Sequence, residues 1–245
     1  TGYNDAFIIS TEKRDKILAN CQTEEERLRT AELIRPILRG RDIKRYGYDW
    51  ANLWLINTHN GIKGVKPRID INDYPAVKAH LDQYWDKISK RADKGDTPYN
   101  LRNCAYLDDF LKPKIVFQEI VQESQFLLDA NENFFCNDTG RIIVGKHLYH
   151  LLGMLNSELF FFSVKHFYGG GVLGEHGIRM KHTFFENFPC LAFDERIESR
   201  AKKLQQFYSN TLNQNLNDYI MTLYQLTEEE KLYIKGKLIQ FPQNQ

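Results

Sequence analysis

The sequence predicts an α+β fold: a mixed, mainly antiparallel sheet with packed helices, followed by a C-terminal helical hairpin. Three observations carry this. Between Tyr99 and Phe162 lie the best strand signals, Ile115-Val116-Phe117, Phe126-Leu127-Leu128, Phe134-Phe135 and Ile142-Ile143-Val144. Turn-prone Asn, Asp and Gly residues separate them, a spacing that predicts an antiparallel meander. The period then changes, because Leu148, Leu151, Leu152, Leu155 and Leu159 recur at helical spacing and belong over that sheet. From Asp194 to Gln225 a narrow apolar stripe (Ile197, Ala201, Leu204, then Leu212 and Leu216) has the pattern of a long helix against a partner or in a hairpin. The expected boundaries are residues 1–193 for the sheet-bearing domain and 194–245 for the helical segment, with everything else attached to the central core.

The remaining elements follow in order. Ala6 to Ser10 reads as a strand, and Thr11 and Thr23 read as helix N-caps. Thr23 has Glu26 three residues on, the capping-box spacing. Ile34 to Leu38 returns to extended structure, since Pro36 forbids a helix interior and pushes Arg35 towards β. Trp54 to Asn57 is a short strand and Thr58 to Lys66 a loop. Asp73 is expected to cap a helix from Tyr74 to about Arg91, with Pro75 in its first turn and Val77, Leu81, Tyr84, Trp85 and Ile88 on its buried face. Ala92 to Pro98 reads as an exposed loop, and Tyr168 to Gly177 has the most flexible composition. Phe188 to Leu191 is expected as a last strand. Thr227 and Glu230 make a second capping box, opening a terminal helix to about Lys237.

Composition narrows the class. The chain has 245 residues, 42% of them hydrophobic, and no apolar run reaches the ~18 residues of a membrane helix. Thirty-three basic and 32 acidic residues leave a net charge of +1, so the distribution of charge is the informative quantity. Cys21, Cys104, Cys136 and Cys190 form no Cys-x-x-Cys and read as buried thiols of a reducing compartment, which places the chain in the cytoplasm. The opening Thr1-Gly-Tyr-Asn-Asp carries no secretory signal and suggests a piece cut from a longer polypeptide.

Catalytic patterns fail one by one. Asp108, Asp109 and Glu119 would suit a metal-dependent nuclease, but Val121 stands where its lysine is needed, and solvated acids at a strand end are the better reading. His147 and His150 lack companion ligands at matching spacing, so no metal site is expected. Gly169, Gly171 and Gly174 match Gly-x-Gly-x-x-Gly without the strand before and helix after that the fingerprint requires. No P-loop, nucleophile elbow or Asn/Asp-Pro-Pro-Tyr/Phe methyltransferase loop occurs. The chain is expected to carry no catalytic residue and no cofactor of its own.

Basic segments are the positive finding. Arg35, Arg39, Arg41, Lys44 and Arg45 fall within eleven residues, opposed only by Asp42. Asn60 and Lys66 lie in the next loop, Arg102, Lys112 and Lys114 flank the central strands, and Lys165, His166, Arg179, Lys181 and His182 surround the glycine loop. Cations in loops, interleaved with Tyr, His and Asn, suit a surface that grips phosphates and reads base edges. Ordinary solvated charges offset by acids elsewhere remain the alternative.

Several segments together carry a resemblance. Leu33-Ile-Arg-Pro-Ile-Leu-Arg-Gly-Arg-Asp-Ile-Lys-Arg-Tyr46, Lys112-Pro-Lys-Ile-Val, Asn137-Asp-Thr and Leu151-Leu-Gly-Met-Leu-Asn-Ser-Glu-Leu159 are similar to motifs of the TaqI-like C-terminal specificity domain, as is Thr1-Gly-Tyr-Asn-Asp-Ala-Phe-Ile-Ile. The likeness spans roughly Thr1 to Leu191, and the Asp218 to Glu230 tail resembles the ending of fused type IIG proteins. The resemblance implies a target recognition domain of a bacterial restriction-modification protein. An upstream domain would bind S-adenosylmethionine and methylate adenine, with Mg²⁺ needed only where a nuclease is attached. The implied partners are double-stranded DNA and that methyltransferase domain, with no membrane.

In this view Arg39, Arg41, Lys44 and Arg45 contact phosphates and set register. Asn60, Lys66, Arg102, Arg179, Lys181 and His182 are the candidates for base readout. Two other classes stay open: a protein-interaction module that self-associates through its C-terminal helices, and a nuclease with unrecognised carboxylates.

Overall fold

Two largely apolar segments, Ile34–Leu38 and Leu53–Ile56, pair antiparallel in the computed structural model, with Ile34 opposite Ile56 and Pro36 opposite Trp54. The structure describes residues 1–131, 134–168, 172–173 and 177–239. The fold is α+β, with antiparallel sheets, packed helices and a C-terminal run of helices. Among the described residues no helix is long and apolar enough to cross a membrane. The chain forms two compact units interleaved in sequence. The first holds Thr1–Leu38, Trp50–Lys112 and Asn131–Phe135, the second Arg39–Asp49, Pro113–Ala130 and Cys136–Gln245. The expectation of one core with attachments is therefore corrected, because the N-terminal segments build a sheet of their own.

In the first unit Leu53–Ile56 is an inner strand, with Ile8–Ser10 on one side (Ile8 opposite Leu55) and Ile34–Leu38 on the other. The strand expected from Ala6 begins at Ile8, since Asn4–Phe7 is a helical turn. Ser10, one residue before the expected Thr11, caps the helix Thr11–Ala19 by accepting the Lys13 amide. Thr23 caps Glu24–Leu33 as expected, accepting the Glu26 amide at 3.1 Å. The Glu26 carboxylate reaches one residue further back, to the Gln22 amide at 2.8 Å, and also takes the Ala76 amide at 3.1 Å, which satisfies a buried acid.

The helix expected over Tyr74–Arg91 is two shorter helices, Pro75–Asp82 and Trp85–Ile88. Tyr84, bonded to the Leu81 carbonyl at 2.9 Å, leaves the helical conformation and leaves Trp85 exposed. Asp73 does not cap Pro75–Asp82: Tyr74 is its N-cap, without a side-chain bond, and Asp70 caps the preceding turn Ile71–Asp73 by accepting the Asn72 amide at 3.0 Å. Arg91 sits buried over the Phe7 ring, with its guanidinium donating to the carbonyls of Thr1, Asp93, Pro98 and Asn100.

The second unit is built on a three-stranded sheet with Lys114–Gln118 in the middle, Gly140–Val144 on one side and Phe126–Asp129 on the other. That order corrects the sequential meander: the Phe135–Cys136 strand belongs to the other sheet. The exposed edge of Phe126–Asp129 is closed by side-chain amides. Asn156 bonds both the amide (3.0 Å) and the carbonyl (2.8 Å) of Phe126, and Gln205 does the same for Leu128 at 3.0 and 2.7 Å. An unpaired edge thereby gains the partners a further strand would give it. This role breaks the apolar helix at Asn156 into Leu148–Leu155 and Glu158–Ser163, the second capped by Ser157.

A smaller sheet pairs Val172–Leu173, Gly177–Arg179 and Ile120–Val121. The hairpin Ile43–Lys44/Gly47–Tyr48 turns through Tyr46 at φ 59°, whose buried ring makes phenol ionisation unfavourable and pushes its pKa up.

The C-terminal stripe folds as a hairpin of Glu195–Gln206 and Asn210–Leu223, which buries Ile197, Ala201 and Leu204 against the unit's core. Gly153 permits the close crossing, since a Cβ there would lie 2.8 Å from the Ile197 side chain. No packing break falls at residue 194, because Glu195–Gln206 lies on Leu148–Leu155. The reciprocal box of Thr227 and Glu230 opens the last helix, Glu228–Ile239. Phe188–Leu191 is no strand: Pro189 lacks an amide, and the Cys190 amide turns back to the Phe188 carbonyl. The four thiols are free but not fully buried, and Cys190 is exposed. Gly169, Gly171 and Gly174 lie outside the described residues.

Candidate nucleic-acid interface

In the first unit four loop cations each meet an acid, whereas Arg35 and Lys63 make no ion pair among the described residues. Lys66 Nζ lies 2.5 Å from Asp108 and Lys112 Nζ 2.7 Å from Asp109, with Arg102 3.4 Å from Asp93 and Arg68 3.6 Å from Asp96. The hydrogen bond from Lys66 holds the Asp108 pKa below the usual carboxylate range. Asn60 is a loop pin: its Nδ2 donates to Asp96 (3.0 Å) and Asn103 (2.6 Å), and its Oδ1 accepts the Asp96 amide at 2.8 Å. These loops border an open groove of about 790 Å³ lined by Asn60, Lys63, Lys66, Arg68 and Asn103. A smaller cavity of about 170 Å³ is lined by Arg29, Arg35, His59, Lys66, Tyr74 and Asp108. Burial, then the nearby Lys66 charge, pushes the His59 pKa down.

The arginines of the Arg35–Arg45 segment divide by partner. Arg39 forks onto Asp42 (Nη2–Oδ1 2.8 Å, Nε–Oδ2 3.0 Å), whose carboxylate also takes the Arg39 amide at 2.8 Å. Asp42 is buried, and these bonds outweigh its desolvation and hold its pKa down. Arg45 donates to the Ser124 carbonyl at 3.1 Å and to Glu123 at 2.9 Å. Both arginines brace the fold. Lys44 is half exposed with Asp49 3.8 Å away. Arg41 is exposed, and among the described residues no carboxylate lies within 4 Å of it. It follows Gly40, which presses on Gln118 so closely that a Cβ would come within 2.8 Å.

Lys114 requires a correction. It and Asp129 are fully buried, facing each other in register at 2.6 Å, so Lys114 offers nothing to a ligand. Lys165 is half-buried, and that burial lowers its pKa. His166 packs its ring 4.6 Å from that of Phe162, and partial burial with Lys165 and Lys237 nearby lowers its pKa too. His182 is exposed at the first residue of the turn His182–Phe185.

Beside Gln118 the second unit gathers cations. Glu119 follows the Lys114–Gln118 strand and sits where the two small sheets meet: its amide donates to the Thr139 carbonyl at 2.9 Å, and its carbonyl accepts from the Met180 amide. Strand pairing therefore brings Arg141 to it from one side and Arg179 and Lys181 from the other. Arg141 hydrogen-bonds Glu119 Oε2, while Arg179 Nε and Lys181 Nζ each lie 3.7 Å from Oε1. Three cations thus share one carboxylate. Their side chains are 38–41% exposed, against 16% for Glu119. Arg179 Nε is buried with no hydrogen-bond partner among the described residues. Of these three, Arg179 and Lys181 are singled out from the sequence and Arg141 is passed over. Its signal was the strand Gly140–Val144, which places Arg141 opposite Phe117, two residues from Glu119.

This arrangement defines the class: an α+β domain that gathers three partly exposed cations around one carboxylate. The family is narrower than the class. The profile of the TaqI-like C-terminal specificity domain matches residues 35–174, more than half of the chain, and the chain belongs to that family. The match runs from Arg35 through the Arg39–Arg45 segment to Arg141 and His166. A comparison with curated proteins finds no match.

Proposed function

We propose that this chain is the DNA-recognition domain of a bacterial restriction-modification protein of the type IIG kind. It selects the sequence, and an upstream domain of the same polypeptide methylates adenine. S-adenosylmethionine, and Mg²⁺ where a nuclease is attached, belong to those other domains, and the setting is the cytoplasm. One observation carries the reading: a specificity-domain chain that concentrates Arg141, Arg179 and Lys181 around one carboxylate. A cluster with more bases than acids attracts a polyanion, and binding releases counterions from the DNA. Arg41, with no carboxylate within 4 Å among the described residues, adds a further cation in the same unit.

The test is selection of duplexes from a random pool by the 245-residue chain, followed by a salt titration on the winner. The expected result is one enriched motif whose affinity falls steeply with salt. Absence of both enrichment and salt-sensitive binding sinks the reading. A second reading, self-association through the C-terminal helices, draws on Phe207 and Tyr208, which are 82% and 51% exposed at the hairpin turn. A monomeric mass at high concentration by light scattering would exclude it.

A further inference from the structure

Glu119 is an odd residue to find in the middle of a phosphate-seeking surface, and its geometry explains it. Its backbone is pinned from both sides, so the carboxylate stands at a fixed point between two sheets. Three cations from two chain segments, Arg141 on one side and Arg179 with Lys181 on the other, converge on that point. Without an anion there, three like charges would repel one another and splay into solvent. A carboxylate and a phosphate diester both carry one negative charge and accept charged hydrogen bonds, so the set that fits one fits the other. The single carboxylate leaves the cluster unsatisfied, since among the described residues Arg179 Nε is buried without a hydrogen-bond partner, 3.7 Å from Oε1.

We propose that Glu119 is a placeholder for a DNA backbone phosphate. In the free protein it holds Arg141, Arg179 and Lys181 in the arrangement that a phosphate needs. On binding, the phosphate enters beside it and takes over the exposed donors of these three side chains. Glu119 is thus a positioning residue that preorganises the clamp and at the same time competes with the ligand. This inference rests on the DNA-recognition reading and names the atoms that would meet the polyanion.

The experiment compares the wild-type chain, Glu119→Gln and Arg141→Ala on one selected duplex between about 50 and 200 mM salt by fluorescence anisotropy. Glu119→Gln keeps the size and the hydrogen-bonding acceptor and removes the charge. Its expected affinity is about threefold or more above wild type, as one unscreened unit charge near a phosphate implies. The slope of log affinity against log salt is expected to steepen by about one. Arg141→Ala is expected to bind more weakly, with a shallower slope. A folded Glu119→Gln that binds no tighter than wild type overturns the placeholder and leaves DNA recognition standing. A wild-type chain without salt-sensitive binding overturns both. Should Glu119→Gln fail to fold, the Arg179 Nε–H resonance of the wild-type chain decides. A shift on adding duplex supports the clamp, and an unmoved resonance at saturation rules it out.

Discussion

Two groups of basic residues, one in each unit, are neutralised differently. In the first, Lys66, Arg68, Arg102 and Lys112 each face an acid of their own, so the field of each cation is cancelled within a few ångströms. In the second, three cations share Glu119 and Arg41 has no carboxylate near it among the described residues. Both patterns look alike in the sequence, as Lys and Arg in loops. What distinguishes an anion-binding surface from a solvated one is the local ratio of bases to acids, not the count of bases. The second unit also holds a third arrangement, the buried Lys114–Asp129 pair, in which charge serves the fold alone.

The largest effect should come from breaking that buried pair. Lys114→Met leaves Asp129 charged and desolvated and is expected to cost about 3–5 kcal/mol in denaturant unfolding. The double variant Lys114→Met/Asp129→Leu should recover most of the loss, because the well-packed apolar pair leaves no charge unpaired. Lys112→Met, two residues away on the exposed Asp109 pair, should leave the unfolding midpoint unmoved. Equal effects at 112 and 114 would erase the distinction between fold-bearing and surface cations.

Next in size is the contrast between neighbouring arginines. Arg39→Ala strips two donors from buried Asp42 and is expected to destabilise by about 1–3 kcal/mol. Arg41→Ala should not change stability but should weaken duplex binding. Calorimetric melting alongside anisotropy separates the two, and a stability loss at Arg41 would contradict the geometry.

Within the cluster, Arg179→Ala or Arg141→Ala is expected to weaken duplex binding roughly tenfold, one charged hydrogen bond's worth, and to flatten the salt slope by about one. Lys66→Ala and Arg102→Ala, which each release an acid along with the lost base, should change affinity less. If the first-unit variants prove the more damaging, the paired loops bordering the groove near Asn60 are the interface instead.

Much of this architecture was legible in local signals. Thr23, Thr227 and the stripe from Leu148 act over three or four residues, and the structure keeps all of them. Strand order was not legible, since it depends on pairings across the chain. The break at Asn156 arises because its amide serves Phe126, thirty residues away. Lys114 was misplaced for the same reason. In Lys-Pro-Lys-Ile-Val it looks like a surface flank, and only the antiparallel register brings it opposite Asp129. A closer signal existed: an acid ending Phe-Leu-Leu-Asp and a base opening Lys-Ile-Val-Phe meet if the two strands pair antiparallel. Arg141 is the converse case, an arginine in an apolar strand that reads as structure until Glu119 is placed beside it.

The smallest effect extends the comparison to acid. His80 is buried in the first unit, its Nε2 donating to the Ala6 carbonyl at 2.9 Å, while Nδ1 is buried with no hydrogen-bond partner among the described residues. Burial is the leading cause that lowers its pKa, and His59 in the same unit is lowered for the same reason. A depressed folded pKa means that the unfolded chain binds more protons as the pH drops through about 6.5. Stability is therefore complete above that value and is lost as pH falls towards the depressed folded pKa. Trp50, Trp54 and Trp85, the chain's three tryptophans, all lie in the first unit, so their fluorescence reports this unit alone. The denaturation midpoint by tryptophan emission should move down between pH 7 and pH 5, by less than Lys114→Met moves it in the second unit. His80→Gln keeps a donor for the Ala6 carbonyl and removes the titration, so its midpoint should move less over the same range. A variant as acid-sensitive as wild type would transfer the effect to His59, whose Nδ1 accepts the Gly61 amide at 3.1 Å and would lose that bond on protonation.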